Sequence, residues 1–553
     1  MDLRAACRRQ WSRFSFFGLA FGTLFFAAAL TPSLLPRPYV VQGILAGMAL
    51  AVGYACGVGA VWLWQWLELP RPGEKLDRTA RQVTTAAVAV VVVAFLWRMT
   101  VWQNSIRERM AMPRLETAYP LRVCAIAIVV AVLIVLFSRA VIGACHWTSA
   151  KLHRALPRRI ATALGATVVL VLLLLAANDL ILKSLLGFAD GLALRYDRAV
   201  DDGITAPTDP LACGSDESLI SWNVIGRQGK SFVAGGPTQD DISEFWGRDV
   251  PRPLRVYAGL DAAPTTESRA QIVLDELQRV GGFDRRVLIV ATPTGTGWLD
   301  PGAVDTVEFI HGGDTAIVSM QYSYLPSWMT ILVDPQQARI AAQALFDEIY
   351  GHWTTLPPDE RPELYLHGLS LGAFGSETSA DLITLLEDPI QGALYSGAPF
   401  PSRVWRKIVD HRNEGTPEWL PRFRDGAMIR FTGRENSLDE AGDHWGPLRV
   451  VYIQHPSDPM VWFSPTLPWH RPAWLDEPRG ADVSPYLKWR PLVTFLQIAW
   501  DLPMATSVPV GYGHNYAPTS YIDGWVAVTA PEEWDDAQTQ RLQERFQGVV
   551  NKP

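Results

Sequence analysis

The chain has 553 residues, a formal net charge of -7, 22 tryptophans and five cysteines. That length exceeds one ordinary core, and the acidic balance offers no basic stripe for nucleic acid. Cys7, Cys56, Cys124, Cys145 and Cys213 make no Cys-x-x-Cys pair, which argues against a zinc site and against a disulfide framework.

In chain order, five apolar runs come first, at about 14–35, 40–67, 83–97, 123–142 and 160–182. A bilayer crossing takes ~20 apolar residues, so an all-α transmembrane bundle of about five helices is expected over 1–190. The third run, VTTAAVAVVVVAFLW, is short before Arg98 and needs residues 99–102 to complete a span. The first is not expected to be a cleaved signal peptide, because its apolar core is long and the chain turns apolar again at once.

Arg4, Arg8, Arg9 and Arg13 precede the first run, Arg71, Lys75, Arg78 and Arg81 follow the second, and Lys151, Arg154, Arg158 and Arg159 precede the fifth. Basic residues collect on the cytoplasmic side, so five spans leave the remainder of the chain extracytoplasmic in a cell membrane. A channel or transporter would hold ionisable groups in mid-span. The runs hold almost none, Asp179 lying near the outer end of the fifth.

A linker is expected at 191–220, followed by an α/β domain over 221–553. Residues 221–240, with Arg227, Lys230 and Gly235-Gly236, are expected as a loop over a site, able to meet an anionic head group. Strands are expected at 254–260, 286–292, 315–322, 363–369, 391–397 and 448–454. ESRAQIVLDELQRVGGF, PGAVDTVEFIHGG, PQQARIAAQALFDEIY and LGAFGSETSADLITLLE are expected as the intervening helices. RVLIVAT holds a continuous apolar run, as a strand buried on both faces does. Alternation of this kind predicts a mostly parallel sheet with helices on both faces.

Gly368-Leu369-Ser370-Leu371-Gly372 falls between a strand and a helix. A serine on that sharp turn projects its hydroxyl at a helix N-terminus, and small flanking residues let strand and helix pass closely. Such a nucleophile needs a base, and the base an orienting acid. Asp458 follows the strand VVYIQ, with Glu435 in FTGREN as the alternative acid. His514 in VPVGYGHNY is the candidate base; His455 and His470 compete less well. His367 reads as a packing residue and His311 as a helix-end residue. For the oxyanion, one donor is expected from the backbone of Leu371 and the other from Thr294 or Gly295 in TPTGTGW. The aromatic and proline-rich stretch between Asp458 and His514 is expected as a cap or an acyl-chain groove.

IGRQGKSFVAGGPT (225–238), TPTGTGW (292–298), HGLSLGAFGSE (367–377), HPSDPMVWF (455–463) and GYGHNY (511–516) resemble the α/β-hydrolase superfamily. More narrowly, they resemble bacterial, actinobacterial-type α/β-hydrolase family proteins with an N-terminal multi-pass membrane region. The resemblance covers nearly the whole chain and lacks the His-Gly pair found in the oxyanion loop of many lipases. It implies a membrane-anchored serine esterase or lipase-like hydrolase with a Ser370-Asp458-His514 triad, without metal or organic cofactor. Expected partners are membrane lipids, as acyl-ester substrates of the cell envelope. An acyltransferase would use the same triad, and a lipid-binding or scaffold protein would keep the fold alone.

Overall fold

The computed structural model describes residues 15–70, 73–175, 197, 200–201, 203–380, 388–442, 444–476 and 478–548. Two compact units divide the chain. One comprises Met1–Leu186, Phe463–Leu475 and Ala481–Met504; the other comprises Gly187–Trp462, Asp476–Gly480 and Ala505–Pro553.

The first unit is built on α1 (Phe16–Ala29), α2 (Tyr39–Trp66), α3 (Glu74–Arg109), α4 (Pro120–Leu152) and α5 (Arg158–Leu175). α1 packs on α2 and α3, α2 on α4, and α4 on α5. Three of these, α2, α3 and α4, are long and apolar enough to cross a membrane. The first expected span is shorter than its apolar run. α1 has 14 residues, about 21 Å at 1.5 Å per residue, because Thr31 precedes Pro32 and a residue before proline disfavours helix. The third is longer than expected: α3 has 36 residues and runs through Arg98 without a break. Of the fifth expected span, residues 176–182 lie outside the described residues.

Leu30, Leu34 and Leu35 are fully buried although they follow the end of α1. Irregular backbone in apolar surroundings needs internal partners, and the helix Val493–Asp501 supplies them. Asp501 Oδ2 accepts from Leu34 N–H (3.2 Å), and Gln497 Nε2 donates to Thr31 O (2.8 Å). Arg37 Nε donates to Asp501 Oδ1 (2.9 Å) and Arg37 Nη2 to Gln497 O (2.8 Å). Both side chains of that ion pair are wholly buried. Ser105 and Ser484 share a hydrogen bond (2.7 Å), and Arg109 donates to Ala481 O (3.2 Å). Phe463–Leu475 and Ala481–Met504, most of the stretch expected as a cap or an acyl-chain groove, thus belong to the helical unit.

The second unit is a seven-stranded, wholly parallel sheet: β1 (Leu254–Ala258), β2 (Val287–Thr292), β3 (Thr315–Met320), β4 (Glu363–Leu369), β5 (Gly392–Ser396), β6 (Ile429–Thr432) and β7 (Arg449–Ile453). Its order is β1-β3-β2-β4-β5-β7-β6. β2 and β3 are buried at every residue, as the largely apolar sequence of strands covered on both faces requires. α6 (Thr266–Arg279) packs with α8 (Gln336–Trp353), and α8 with α9 (Leu371–Ser376). α7 (Pro301–Ile310) packs with α10 (Pro518–Thr529). Residues 381–387 of the helix expected after Ser370 lie outside the described residues. Within the segment expected as a linker, Cys213 and Ile220 are buried, and Ser218 Oγ and Leu219 N–H hold Glu276.

Removing one partner of a buried ion pair costs about 3–5 kcal/mol, because the other charge is left unpaired. Asp501→Ala should therefore lower the unfolding temperature of the detergent-solubilised chain, and Arg37→Met combined with Asp501→Leu should recover most of the loss. An unfolding temperature unchanged in Asp501→Ala would show that the pair carries no such weight.

Candidate active site

Connections from β2 and β4 lead to opposite sides, since β3 lies beyond β2 and β5 beyond β4. Open α/β sheets bind ligands in the crevice at the carboxyl ends of such a pair. Ser370 stands there, between the last residue of β4 and the first of α9. Its backbone, at φ 58° and ψ -122°, occupies a region that non-glycine residues avoid, a strain of about 1–3 kcal/mol that clusters at functional positions. The flanking glycines permit the turn. A Cβ on Gly368 would lie 2.3 Å from Gly372 C, and one on Gly372 would lie 2.1 Å from Thr292 O. The loop after β2 therefore abuts the elbow directly. Ser370 N–H donates to Ser396 O at the end of β5 (2.9 Å).

The acid and base sit on two loops fastened to each other. Asp458 follows β7, the neighbour of β5, and is completely buried. Its Oδ1 accepts from Met460 N–H (2.8 Å), and its Oδ2 accepts from His514 Nδ1 at 2.6 Å. Gly513 N–H donates to Ser457 Oγ (2.9 Å), and His455 Nδ1 donates to Gly513 O (2.9 Å). With the Nδ1 proton directed at Asp458, the lone pair of His514 is left on Nε2, the form a general base requires. The ring lies beside the end of β5: a Cβ on Gly397 would come within 2.6 Å of His514 Cε1.

Ser370 and His514 thus both meet the Ser396-Gly397 step, one through its backbone and the other through its ring. Ser370 Oγ and His514 Nε2 are buried, and neither has a hydrogen-bond partner among the described residues. Contacts between nucleophile and base are commonly loose without substrate and tighten when it binds.

Other expected site residues fall as follows. Leu371 opens α9, so its N–H is among the first four that a helix leaves without an internal acceptor. The amides of Thr294 and Gly295 are committed elsewhere: Thr294 N–H donates to Trp298 O (2.9 Å), and Gly295 N–H to Ser327 Oγ (3.0 Å). Neither is free to meet an oxyanion in this conformation, because the Gly-rich sequence closes a tight turn on itself. Glu435 is exposed beyond the edge strand β6, and Asp458 is the carboxylate that meets His514.

His367 donates through Nδ1 to Leu394 O (2.8 Å), and burial pushes its pKa down to about 4. Burial likewise takes His311 down to about 3, beside Arg286. Both are neutral packing residues. His470 is exposed. The expected basic loop is instead helical over Arg227–Ala234. Arg227 pairs with Asp201, and Lys230 is buried with Nζ 5.7 Å from the Trp222 ring centroid. Among the described residues no three His, Cys, Asp or Glu side chains gather as a metal site.

Sequence reasoning missed Tyr516, whose hydroxyl donates to Asp458 Oδ2 (2.7 Å), and the close approach at Gly397. No periodicity or spacing marks Tyr516 in the sequence, where Tyr512 stands in the same loop.

In comparison with known proteins, residues 254–542 match a family described as "Alpha/beta-hydrolase family" and residues 30–237 match "Alpha/beta-hydrolase family N-terminus". The chain belongs to the alpha/beta-hydrolase family. Its membership accounts for both units together, since the N-terminal match takes in α2, α3, α4 and α5. No curated protein and no solved structure matches the chain.

The Gly397 contact makes a test of the site. Gly397→Ala adds a methyl group at φ 55° against the His514 ring. It should displace the imidazole and slow labelling of Ser370 by a fluorophosphonate roughly 10²-fold or more, the scale of losing a positioned general base. Labelling at the parental rate would place the histidine ring somewhere other than beside β5.

Proposed function

We propose that the protein is a membrane-anchored serine hydrolase that cleaves acyl esters, with lipids of the cell envelope as substrates. The observation that carries this reading is the buried 2.6 Å contact between Asp458 and His514, formed where Ser370 sits in strained backbone at the sheet's switch point. His514 Nε2 takes the proton as Ser370 Oγ bonds to the ester carbonyl carbon. Leu371 N–H, at the start of α9, stabilises the carbonyl oxygen as it becomes anionic. The C–O bond to the alcohol then breaks, and the alcohol leaves with the proton from the imidazolium. Water repeats the sequence on the acyl-serine, giving up a proton to His514 and releasing the carboxylic acid.

Membrane anchorage is supported by α2, α3 and α4, and lipid substrates by the argument that an anchored enzyme shares its bilayer with them. The basic residues of the sequence and the ends of α2 support a reading of its sidedness. The helix Val493–Asp501 packs where residues 30–37 precede α2, through Asp501, Gln497 and Arg37. Arg71, Lys75, Arg78 and Arg81 lie at or beyond the other end. α2 has 28 residues, about 42 Å of helix, between the two. Positive residues mark the cytoplasmic face, which supports an extracytoplasmic reading for the residues that follow the helical unit.

Two outcomes test these readings. A fluorophosphonate should label the chain covalently, and Ser370→Ala should abolish labelling; undiminished labelling of that variant would remove Ser370 as nucleophile. A single cysteine placed at exposed Glu435, in a chain whose native cysteines are replaced, should react with an impermeant maleimide on intact cells. Reaction only after the membrane is opened would reverse the orientation.

A further inference from the structure

We infer that Tyr516 is a positioning residue of the triad, acting through the Asp458 oxygen that it shares with His514. This inference rests on the serine-hydrolase reading and adds a fourth side chain to it. Tyr516 Oη donates to Asp458 Oδ2 at 2.7 Å, while His514 Nδ1 donates to the same atom at 2.6 Å. Asp458 Oδ1 is taken by Met460 N–H. Both carboxylate oxygens are thus held, and the one facing the base is held from two directions.

The phenol is fixed independently of the acid. Its ring is buried and stacks on His455, with centroids 4.4 Å apart and planes 16° apart. It meets the His514 ring edge to face at 5.7 Å. Burial and the neighbouring Asp458 raise its pKa far above the ordinary phenol range, so it remains a donor throughout the pH range in which the base works.

Two consequences follow. The rigid ring holds Oδ2 in line with His514 Nδ1, which aims Nε2. The hydroxyl also draws charge from Oδ2, weakening the field that stabilises the imidazolium. Other ionisable groups around the pair are few among the described residues. His455 faces it from the loop after β7. Tyr521 lies behind Tyr516 on α10 and hydrogen-bonds Ser396 and Asp300. Arg434 lies over Tyr512 on the loop that carries His514.

The test is the pH dependence of the fluorophosphonate labelling rate of the full-length chain in detergent. Tyr516→Phe keeps the ring and removes the donor. It should slow labelling about 3–10-fold at the optimum and move the acid limb of the profile up by about 0.5–1 pH unit, since the imidazolium is then more strongly stabilised. Replacing Tyr516 with 3,5-difluorotyrosine strengthens the donor and should move the acid limb the opposite way; this arm decides the matter if the Phe variant does not fold.

An acid limb that stays where it is in a folded Phe variant, or in the difluorotyrosine protein, would overturn the positioning role. It would do so even if the rate falls, because a purely packing role lowers the rate without moving the limb. Loss of labelling in Ser370→Ala alongside an unmoved limb would reject only Tyr516, whereas persistence of labelling in Ser370→Ala would reject the hydrolase reading itself.

Discussion

A single oxygen, Asp458 Oδ2, receives the base of the site and its phenol together. A carboxylate buried this deeply is costly unless donors surround it, and here the donors come from both sides. Met460 binds it from its own loop, and His514 and Tyr516 bind it from a segment 56 and 58 positions further on. The penalty of leaving that carboxylate unpaired draws the two loops together. The bonds from Gly513 to Ser457 and from His455 to Gly513 hold them in register. The base is therefore aimed from behind, by contacts that involve neither the nucleophile nor its helix.

That local fastening matters because the chain between acid and base does not stay with the sheet. Phe463–Leu475 and Ala481–Met504 belong to the helical unit. There the buried pair of Arg37 and Asp501 seals the turn after α1. The loops of Asp458 and His514 are fastened by their own contacts. Each of the two buried carboxylates, Asp458 and Asp501, is thus satisfied inside its own unit.

Much of this was legible in the chain because some requirements leave few residue choices. Continuous apolar runs such as VLIVAT fit only a strand covered on both faces, and Ser370 between glycines fits a turn where a Cβ on Gly372 would meet Thr292 O at 2.1 Å. Asp458 could be named because it follows a strand, and His514 because it stands in a glycine-rich loop further along the chain. The less legible features depend on partners remote in sequence. The apolar run through Leu35 reads as one span, yet its second half is loop, satisfied by Gln497 and Asp501 more than 460 positions away. The Thr294 and Gly295 amides read as free donors from their glycine-rich surroundings, but their acceptors are fixed by a local turn and by Ser327. Tyr516 gives no periodic or spacing signal, since its role exists only once Asp458 is beside it.

The most direct test is a structure of the full-length chain after reaction with a fluorophosphonate. The account predicts phosphorus bonded to Ser370 Oγ, His514 Nε2 in hydrogen-bond contact with the adduct, and a phosphoryl oxygen facing Leu371 N–H. An adduct on another residue, or an imidazole turned away from a phosphorylated Ser370 with its Asp458 contact broken, would contradict it.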